Sequence, residues 1–393
     1  MISPNTAQTV NYGGSKSFTF TPSTGYHVVD VLVDGVSAGA VTSYSFTNVT
    51  ANHTISATFA IDTYTITASS GSNGTVTPAG ASTVNYNDSQ AYTITPATGY
   101  HVADVLVDGG SVGAVTSYSF TNVTANHTIS ATFAIDQFTI TASNGANGTV
   151  TPSGSTAVNY GGSQAYSITP ATGYHVDDVL VDGSSVGAVT NYSFTSVSAG
   201  HTISATFAIN AYTITATAGG NGTVTPAGAT AVNYDGSQSY TITPTTGYHV
   251  ADVLVDGVSI GAVSSHSFSA VDANHTIAAS FTINSYTVTP SAGANGSISP
   301  SGAVEVIYNT DKTFTITPNA NYHVLDVLVD GKSVGAVTSY PFNSISDNHT
   351  ISASFAIDTC TITASAGAGG GISPGTTTLN YGDSQTFSIS PLT

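Results

Sequence analysis

The tripeptide Tyr-His-Val occurs at Tyr26, Tyr100, Tyr174, Tyr248 and Tyr322, and Val-Asp-Gly at Val33, Val107, Val181, Val255 and Val329, so both recur with a step of 74 residues. A third marker keeps the same step: Gly-x-Asn-Gly starts at Gly71, Gly145, Gly219 and Gly293, with the altered form Gly-Ala-Gly-Gly at Gly367. A fixed period makes the repeat, not the whole chain, the unit of folding. The period divides the 393 residues into 1–62, 63–136, 137–210, 211–284, 285–358 and 359–393. Residues 1–62 align with 75–136 and are expected to lack the first strand of the unit, while 359–393 are expected to supply only its first strands.

A 74-residue unit is longer than common helical solenoid repeats and suits a small β domain with its own core. In the second unit, Tyr64-Thr-Ile-Thr-Ala68 alternates apolar and hydroxyl residues, the pattern of a half-buried strand, with Thr65 and Thr67 facing water. Asn73-Gly74 predicts a tight hairpin turn with positive φ at both residues, returning the chain through Thr75-Val-Thr-Pro78. Further strands are predicted over 82–86, 90–96, 100–107, 112–115, 117–123 and 127–135. No segment shows apolar spacing of three and four with helix caps. The fold class is therefore all-β: a tandem array of small sandwich-like or barrel-like domains.

Composition narrows the function. Only 6% of residues are charged, and 21 acids face three lysines (Lys16, Lys312, Lys332) with no arginine, a formal net charge of -18. Such a chain has no basic footprint for nucleic acid. It carries no run of about 18 apolar residues able to span a bilayer, so no membrane insertion is expected of this segment. Disorder is not implied, because 40% of the chain is apolar and those residues recur at fixed positions. A surface of Ser, Thr, Asn and Gly, with the single cysteine Cys360 replacing the aromatic found at Tyr64, Phe138, Tyr212 and Tyr286, suggests a secreted protein stabilised without disulfides. The stretch Met1–Val10 has neither the basic start nor the apolar core of a secretory leader.

Four motifs together, Tyr-Thr-Ile-Thr-Ala, Gly-x-Asn-Gly-Thr-Val-Thr-Pro, Val-Asn-Tyr-Gly-x-Ser-Gln and Asn-His-Thr-Ile-Ser-Ala-Thr-Phe, resemble the divergent internalin-type bacterial B-repeat family over the whole chain. The resemblance implies surface or secreted proteins in which tandem β domains act as spacers, adhesive stalks or repeat-built appendages.

The junctions are short. The last strand of the second unit reaches Phe138 through Asp136 and Gln137, and Asp62-Thr63, Asn210-Ala211, Asn284-Ser285 and Asp358-Thr359 repeat the arrangement. Without a flexible linker the units are expected to hold fixed orientations and form a rod, each unit adding roughly 30 Å by compact-domain scaling.

Candidate chemistry is sparse. Each unit places two aspartates four residues apart: Asp30 with Asp34, Asp104 with Asp108, Asp178 with Asp182, Asp252 with Asp256, and Asp326 with Asp330. That spacing keeps both on one strand face. The pairs could serve calcium, although no calcium-loop spacing is present, or could start the Asp-Gly turn (Asp34 and equivalents) and stay solvated (Asp30 and equivalents). Each unit carries two histidines, as His27 after Tyr26 and His53 after Asn52 with the matching residues in later units, and they read as structural partners of a turn or of a nearby aspartate. Tyr12, Tyr44, Tyr86 and Tyr118 could form a sugar-stacking platform, though no tryptophan is present and tyrosines at alternating positions also serve cross-strand packing. No catalytic, metal-ligating or cofactor-binding residue is singled out. The reading is a non-enzymatic stalk, adhesin segment or filament subunit, with a carbohydrate-binding array as the alternative. The expected partner is the protein itself, head to tail or laterally, or a cell-surface ligand. The two incomplete ends have two readings: the sequence is a piece of a longer array, or the ends complement each other between molecules, a filament in which Thr361-Ile-Thr-Ala364 of one subunit fills the gap beside Val10-Asn-Tyr12 of the next.

Overall fold

The structure is a computed structural model that describes residues 1–391; the last two positions of the 359–393 segment lie outside it. Among the described residues there is no helix. The second repeat shows the plan of a complete unit. Its strands are β1 (Thr63–Ser70), β2 (Gly74–Thr77), β3 (Gly80–Asn85), β4 (Gln90–Pro96), β5 (Tyr100–Val107), β6 (Gly110–Gly113), β7 (Ser117–Phe120) and β8 (His127–Ile135). They form two sheets, one of five strands in the order β6-β5-β8-β1-β3 and one of three in the order β7-β4-β2. The repeats starting near residues 137, 211 and 285 are built the same way.

Alternation explains the layering. On β1, Ile66 and Ala68 point inward while Thr65 and Thr67 are exposed; on β4, Tyr92 and Ile94 point inward while Thr93 and Thr95 are exposed. The inward side chains of both sheets meet in one core that also holds Val76, Val105, Phe120 and Ile129. Phe120 meets Tyr92 edge to face, with ring centroids 6.0 Å apart. Tyrosine aside, no polar or charged side chain among the described residues is buried in a repeat's core. The near absence of charge in the sequence thus reflects small sandwiches whose outer faces are solvated by hydroxyl groups.

Three strand predictions need correction. The strand expected over 82–86 runs from Gly80 to Asn85, the edge strand expected over 112–115 lies two residues earlier, at Gly110–Gly113, and the strand expected to end at Val123 ends at Phe120. Nor do β1 and β2 form a hairpin: β1 pairs with β3 and β8, β2 pairs with β4, and the turn between them carries the chain from one sheet to the other. The reason is the core. Ile66 and Val76 close the sandwich from opposite sides, which two strands of one sheet could not do. Within that turn Asn73 has φ +70°, but Gly74 is not left-handed. Gly74 is required for a different reason, since a Cβ there would lie 2.3 Å from the ring of Phe133. Gly148 with Phe207, Gly222 with Phe281 and Gly296 with Phe355 repeat the contact.

The two partial segments keep this plan with strands missing. In the first, Tyr26–Val33, Val36–Ser37 and Ile55–Ile61 make a three-stranded sheet equivalent to β5, β6 and β8, and no strand among the described residues pairs with the outer edge of Ile55–Ile61. In the last, Thr359–Ile362 pairs with Thr377–Asn380, and Gly370–Ser373 with Ser388–Pro391.

One polar feature sits inside three of the cores without a partner. The hydroxyls of Tyr92, Tyr166 and Tyr240 are buried and make no hydrogen bond, and the same position holds Phe18 and Phe314 in the other two repeats. A buried hydroxyl with no partner loses its hydration for nothing. Tyr92→Phe is therefore expected to leave stability unchanged or to raise it by about 1 kcal/mol, whereas Ile66→Ala costs about 2–5 kcal/mol through the cavity it leaves. Urea unfolding of the two variants checks this, and a clear loss in Tyr92→Phe would contradict it.

Candidate functional site at the repeat junctions

The sequence predicts two linking residues between units, but the structure leaves one. Ile61 ends one repeat and Thr63 begins the next, with Asp62 between them; Asp136, Asn284 and Asp358 hold the same place. Asp62 is fixed on three sides. Its N–H donates to the Gly25 carbonyl at 2.8 Å, its carbonyl accepts the Tyr86 N–H at 2.8 Å, and its carboxylate accepts from His27 Nδ1 at 2.7 Å. Gly25 and His27 belong to the preceding repeat and Tyr86 to the following one, so one residue ties both together.

Packing reinforces these bonds. Gly25 is left-handed, with φ +79°, and an added Cβ would fall 2.0 Å from the Tyr86 ring. Gly99 meets Tyr160 and Gly247 meets Tyr308 in the same way. Tyr160 also lies against Phe138 of its own repeat at a centroid distance of 6.4 Å, so the ring is held from both sides. At the last junction Asn321 takes the glycine's place with φ +68° and still accepts the Asp358 N–H. Glycine and asparagine are the residues that tolerate this backbone most readily.

The second histidine works within its repeat. His53 Nδ1 lies 2.6 Å from Asp34 Oδ2, and Asp34 Oδ1 accepts the Thr54 N–H at 2.7 Å. His127 with Asp108, His201 with Asp182, His275 with Asp256 and His349 with Asp330 form the same fork. All five aspartates are held below the ordinary value of 3.8. In Asp34, Asp108 and Asp182 the backbone N–H of the following strand has the largest effect and the histidine the next. In Asp256 the order is reversed. In Asp330 partial desolvation is the largest single influence and works upward, but Thr350 and His349 together outweigh it.

The paired aspartates do not share a ligand. The strand ends at Val33, and the left-handed backbone of Asp34 (φ +50°) directs the two to different partners. Asp30 is half-buried rather than solvated, accepting from Ser37 Oγ at 2.6 Å and from the Gly39 N–H at 3.1 Å. Asp34 bonds across to Thr54 and His53 instead of into its own turn. Among the described residues no three His, Cys, Asp or Glu side chains gather where a metal could be held. The tyrosines proposed as a platform also part company: Tyr86 packs on Gly25, Tyr118 packs edge to face on Phe120, and Tyr12 stands exposed. Cys360 is exposed on its strand.

Comparison with known proteins settles the kinship. The divergent InlB B-repeat domain matches residues 64–137, 138–211, 212–285 and 286–359. This chain belongs to the divergent InlB B-repeat family. B-repeat domains are not a known enzyme family and are typically extracellular or surface-borne; no helix among the described residues is long and apolar enough to cross a membrane. No curated protein matches the chain. Among solved structures, the Bacillus anthracis TIE protein is 9% identical, with 90% of this chain and 74% of that one covered and a TM-score of 0.28. The pilus adhesin SpaC from Lactobacillus rhamnosus GG, in an open conformation, is also 9% identical, with coverages of 79% and 46% and a TM-score of 0.11.

Two functional residues of the B-repeats escape a reading of the sequence. Asn126 uses its side-chain oxygen to accept the Thr65 N–H at 2.8 Å, capping β1 where its parallel partner has yet to begin; Asn274 and Asn348 do the same. The signal lies in the Asn-His-Thr motif, where the asparagine also reads as a glycosylation sequon. The other is the glycine before Tyr-His-Val, whose partner Tyr86 is 61 residues away in the next repeat.

Two outcomes follow. Carboxylates held low in the folded state stabilise it above their ordinary value, and that stabilisation disappears as pH falls through 3.8 toward the folded value. The melting temperature should therefore drop on acidification below 3.8, and Asp108→Asn with the same change at Asp34, Asp182, Asp256 and Asp330 should flatten that drop while lowering stability at neutral pH. Gly99→Ala should cost about 1–2 kcal/mol from its backbone conformation alone, with the collision against Tyr160 added; an unchanged urea midpoint would argue against the junction as described.

Proposed function

We propose that this protein is a non-enzymatic extracellular spacer, a stalk or adhesin segment whose task is to hold whatever it carries at a set separation. The observation that supports this most strongly is the one-residue junction, pinned by backbone bonds on both sides and by a glycine–tyrosine contact. A spacer needs joints that resist bending, and a joint with no free residue cannot act as a hinge. Its chemistry fits as well, since the histidines and aspartates described above are engaged in holding turns and junctions. The spacer reading is preferred to the carbohydrate-binding one because Tyr44, Tyr86 and Tyr118 pack against neighbouring residues, leaving Tyr12 as the one freely exposed ring of the four.

The test measures one joint. Spin labels at Thr93→Cys and Ser167→Cys, exposed positions on either side of Asp136, in a Cys360→Ser background, should give a single narrow distance distribution by electron–electron resonance. Inserting Gly-Ser-Gly-Ser after Asp136 should broaden it. Equal breadth in both proteins would remove the spacer reading.

A further inference from the structure

The turn between β1 and β2 carries the same dipeptide in every complete repeat: Asn73-Gly74, Asn147-Gly148, Asn221-Gly222 and Asn295-Gly296. The fold requires both members. The asparagines stand in left-handed backbone, with φ of +70°, +67°, +72° and +72°, a conformation that asparagine tolerates better than most residues. The glycines lie against Phe133, Phe207, Phe281 and Phe355, where an added Cβ would fall 2.3 or 2.4 Å from the ring. The dipeptide that packing selects is also chemically labile, because glycine presents its main-chain nitrogen to the preceding carboxamide with no side chain in the way. In that reaction the Gly74 nitrogen attacks Asn73 Cγ, the Cγ–Nδ2 bond breaks, and ammonia leaves with the proton that Gly74 gives up. Water then opens the five-membered imide at one of its two carbonyls. One opening leaves an ordinary aspartate; the other leaves an isoaspartate, in which the main chain runs through Cγ and is one atom longer. The net change exchanges an amide and a water for a carboxylate and an ammonium ion.

The folded turn withholds this reaction. Ring closure needs the Gly74 nitrogen on the Cβ side of Asn73, whereas a left-handed residue turns the following nitrogen to the side opposite Cβ. The backbone is fixed there at both ends: the Gly71 N–H donates to the Ala131 carbonyl of β8 at 2.8 Å, and the Asn73 carbonyl accepts the Ala97 N–H at 2.9 Å. The carbonyls of Asn147, Asn221 and Asn295 accept from Ala171, Thr245 and Asn319 in the same way, each at 2.9 Å. The third repeat adds a further pair, Asn144-Gly145, and closes it differently, by occupying both reacting groups. Asn144 Oδ1 accepts the Val150 N–H at 2.7 Å, and the Gly145 N–H donates to the Ala205 carbonyl at 3.1 Å.

We propose that these five asparagines are latent deamidation sites, converted only in a repeat whose β1–β2 turn has opened, and that an isoaspartate formed there keeps the turn from closing again. The four turn asparagines are exposed, so water and base reach them once the backbone is released. A lengthened chain finds no slack, since the turn links β1 in one sheet to β2 in the other and Gly74 has no space to shift past Phe133. Each opening is thereby written irreversibly into the repeat that underwent it. The site goes beyond the spacer reading and does not depend on it.

The test holds the full chain in mildly alkaline buffer with and without denaturing guanidinium chloride. Conversion at each asparagine is followed by peptide mass mapping and by methylation with protein isoaspartate methyltransferase. All five sites should convert at least tenfold more slowly in the folded chain than in the unfolded one. Ala97→Pro removes the N–H that holds the Asn73 carbonyl. In the folded chain it should speed conversion at Asn73 at least threefold and leave Asn147, Asn221 and Asn295 unchanged, as controls within the same molecule. Chains converted in denaturant and then refolded should melt at a lower temperature than unconverted chains taken through the same steps. Equal rates in folded and unfolded chains would overturn the proposal, as would an Ala97→Pro effect that is absent at Asn73 or spread evenly over the four turns. Converted chains that melt like unconverted ones would overturn the claim that the turn cannot close again.

Discussion

The parallel pairing of β1 with β8 holds each repeat together. It joins the first strand of the unit to the last, 61 residues apart at the Asn126–Thr65 cap, and places β8 at the centre of the five-stranded sheet. Once β8 is central its carboxyl end emerges beside the loop that precedes β5, and the next residue falls within reach of that loop's backbone. The one-residue junction is a consequence of that geometry. Asp62 and Asp136 have their N–H groups satisfied by the preceding repeat and their carbonyls by the following one, so neither polar group is left free to drive local loosening.

Polar residues in this fold organise loops rather than build a reactive centre. Three groups of aspartates recur: those that hold β6 and the loop after it through serine, those that fork onto the threonine N–H and histidine at the start of β8, and those at the junctions. Each accepts bonds that an uncharged backbone would otherwise direct to water. With three lysines in the chain, backbone N–H groups and histidines supply the donors that basic side chains provide in most surface proteins.

Much of this was legible in the sequence because period-two alternation and period-74 repetition are local signals. Tyr64-Thr-Ile-Thr-Ala announces a half-buried strand whatever surrounds it. The pairing partners were not legible, since Asn73-Gly74 looks the same whether the chain turns back in one sheet or crosses to another, and only the shared core distinguishes the two. Gly74 and Gly25 show the limit in another way. Gly74, read from the sequence as conformational freedom, is required for space against Phe133, and Gly25, which carries no such local signal, is required for both conformation and space against Tyr86. The aspartate pairs escape that reading for a related reason: a spacing of four defines a face only in an unbroken strand, and Asp34 lies just past the end of its strand in a left-handed turn.

The wide separation of β1 and β8 also bears on how such a chain acquires its structure. As the polypeptide emerges from a ribosome or an export channel, no repeat can close until its final strand has appeared, and until then the edge of β1 is open. The next segment to emerge carries a nearly identical β8. Correct assembly therefore depends on timing: each unit must find its own closing strand before its neighbour's arrives, and vectorial release, one strand after another, supplies that order.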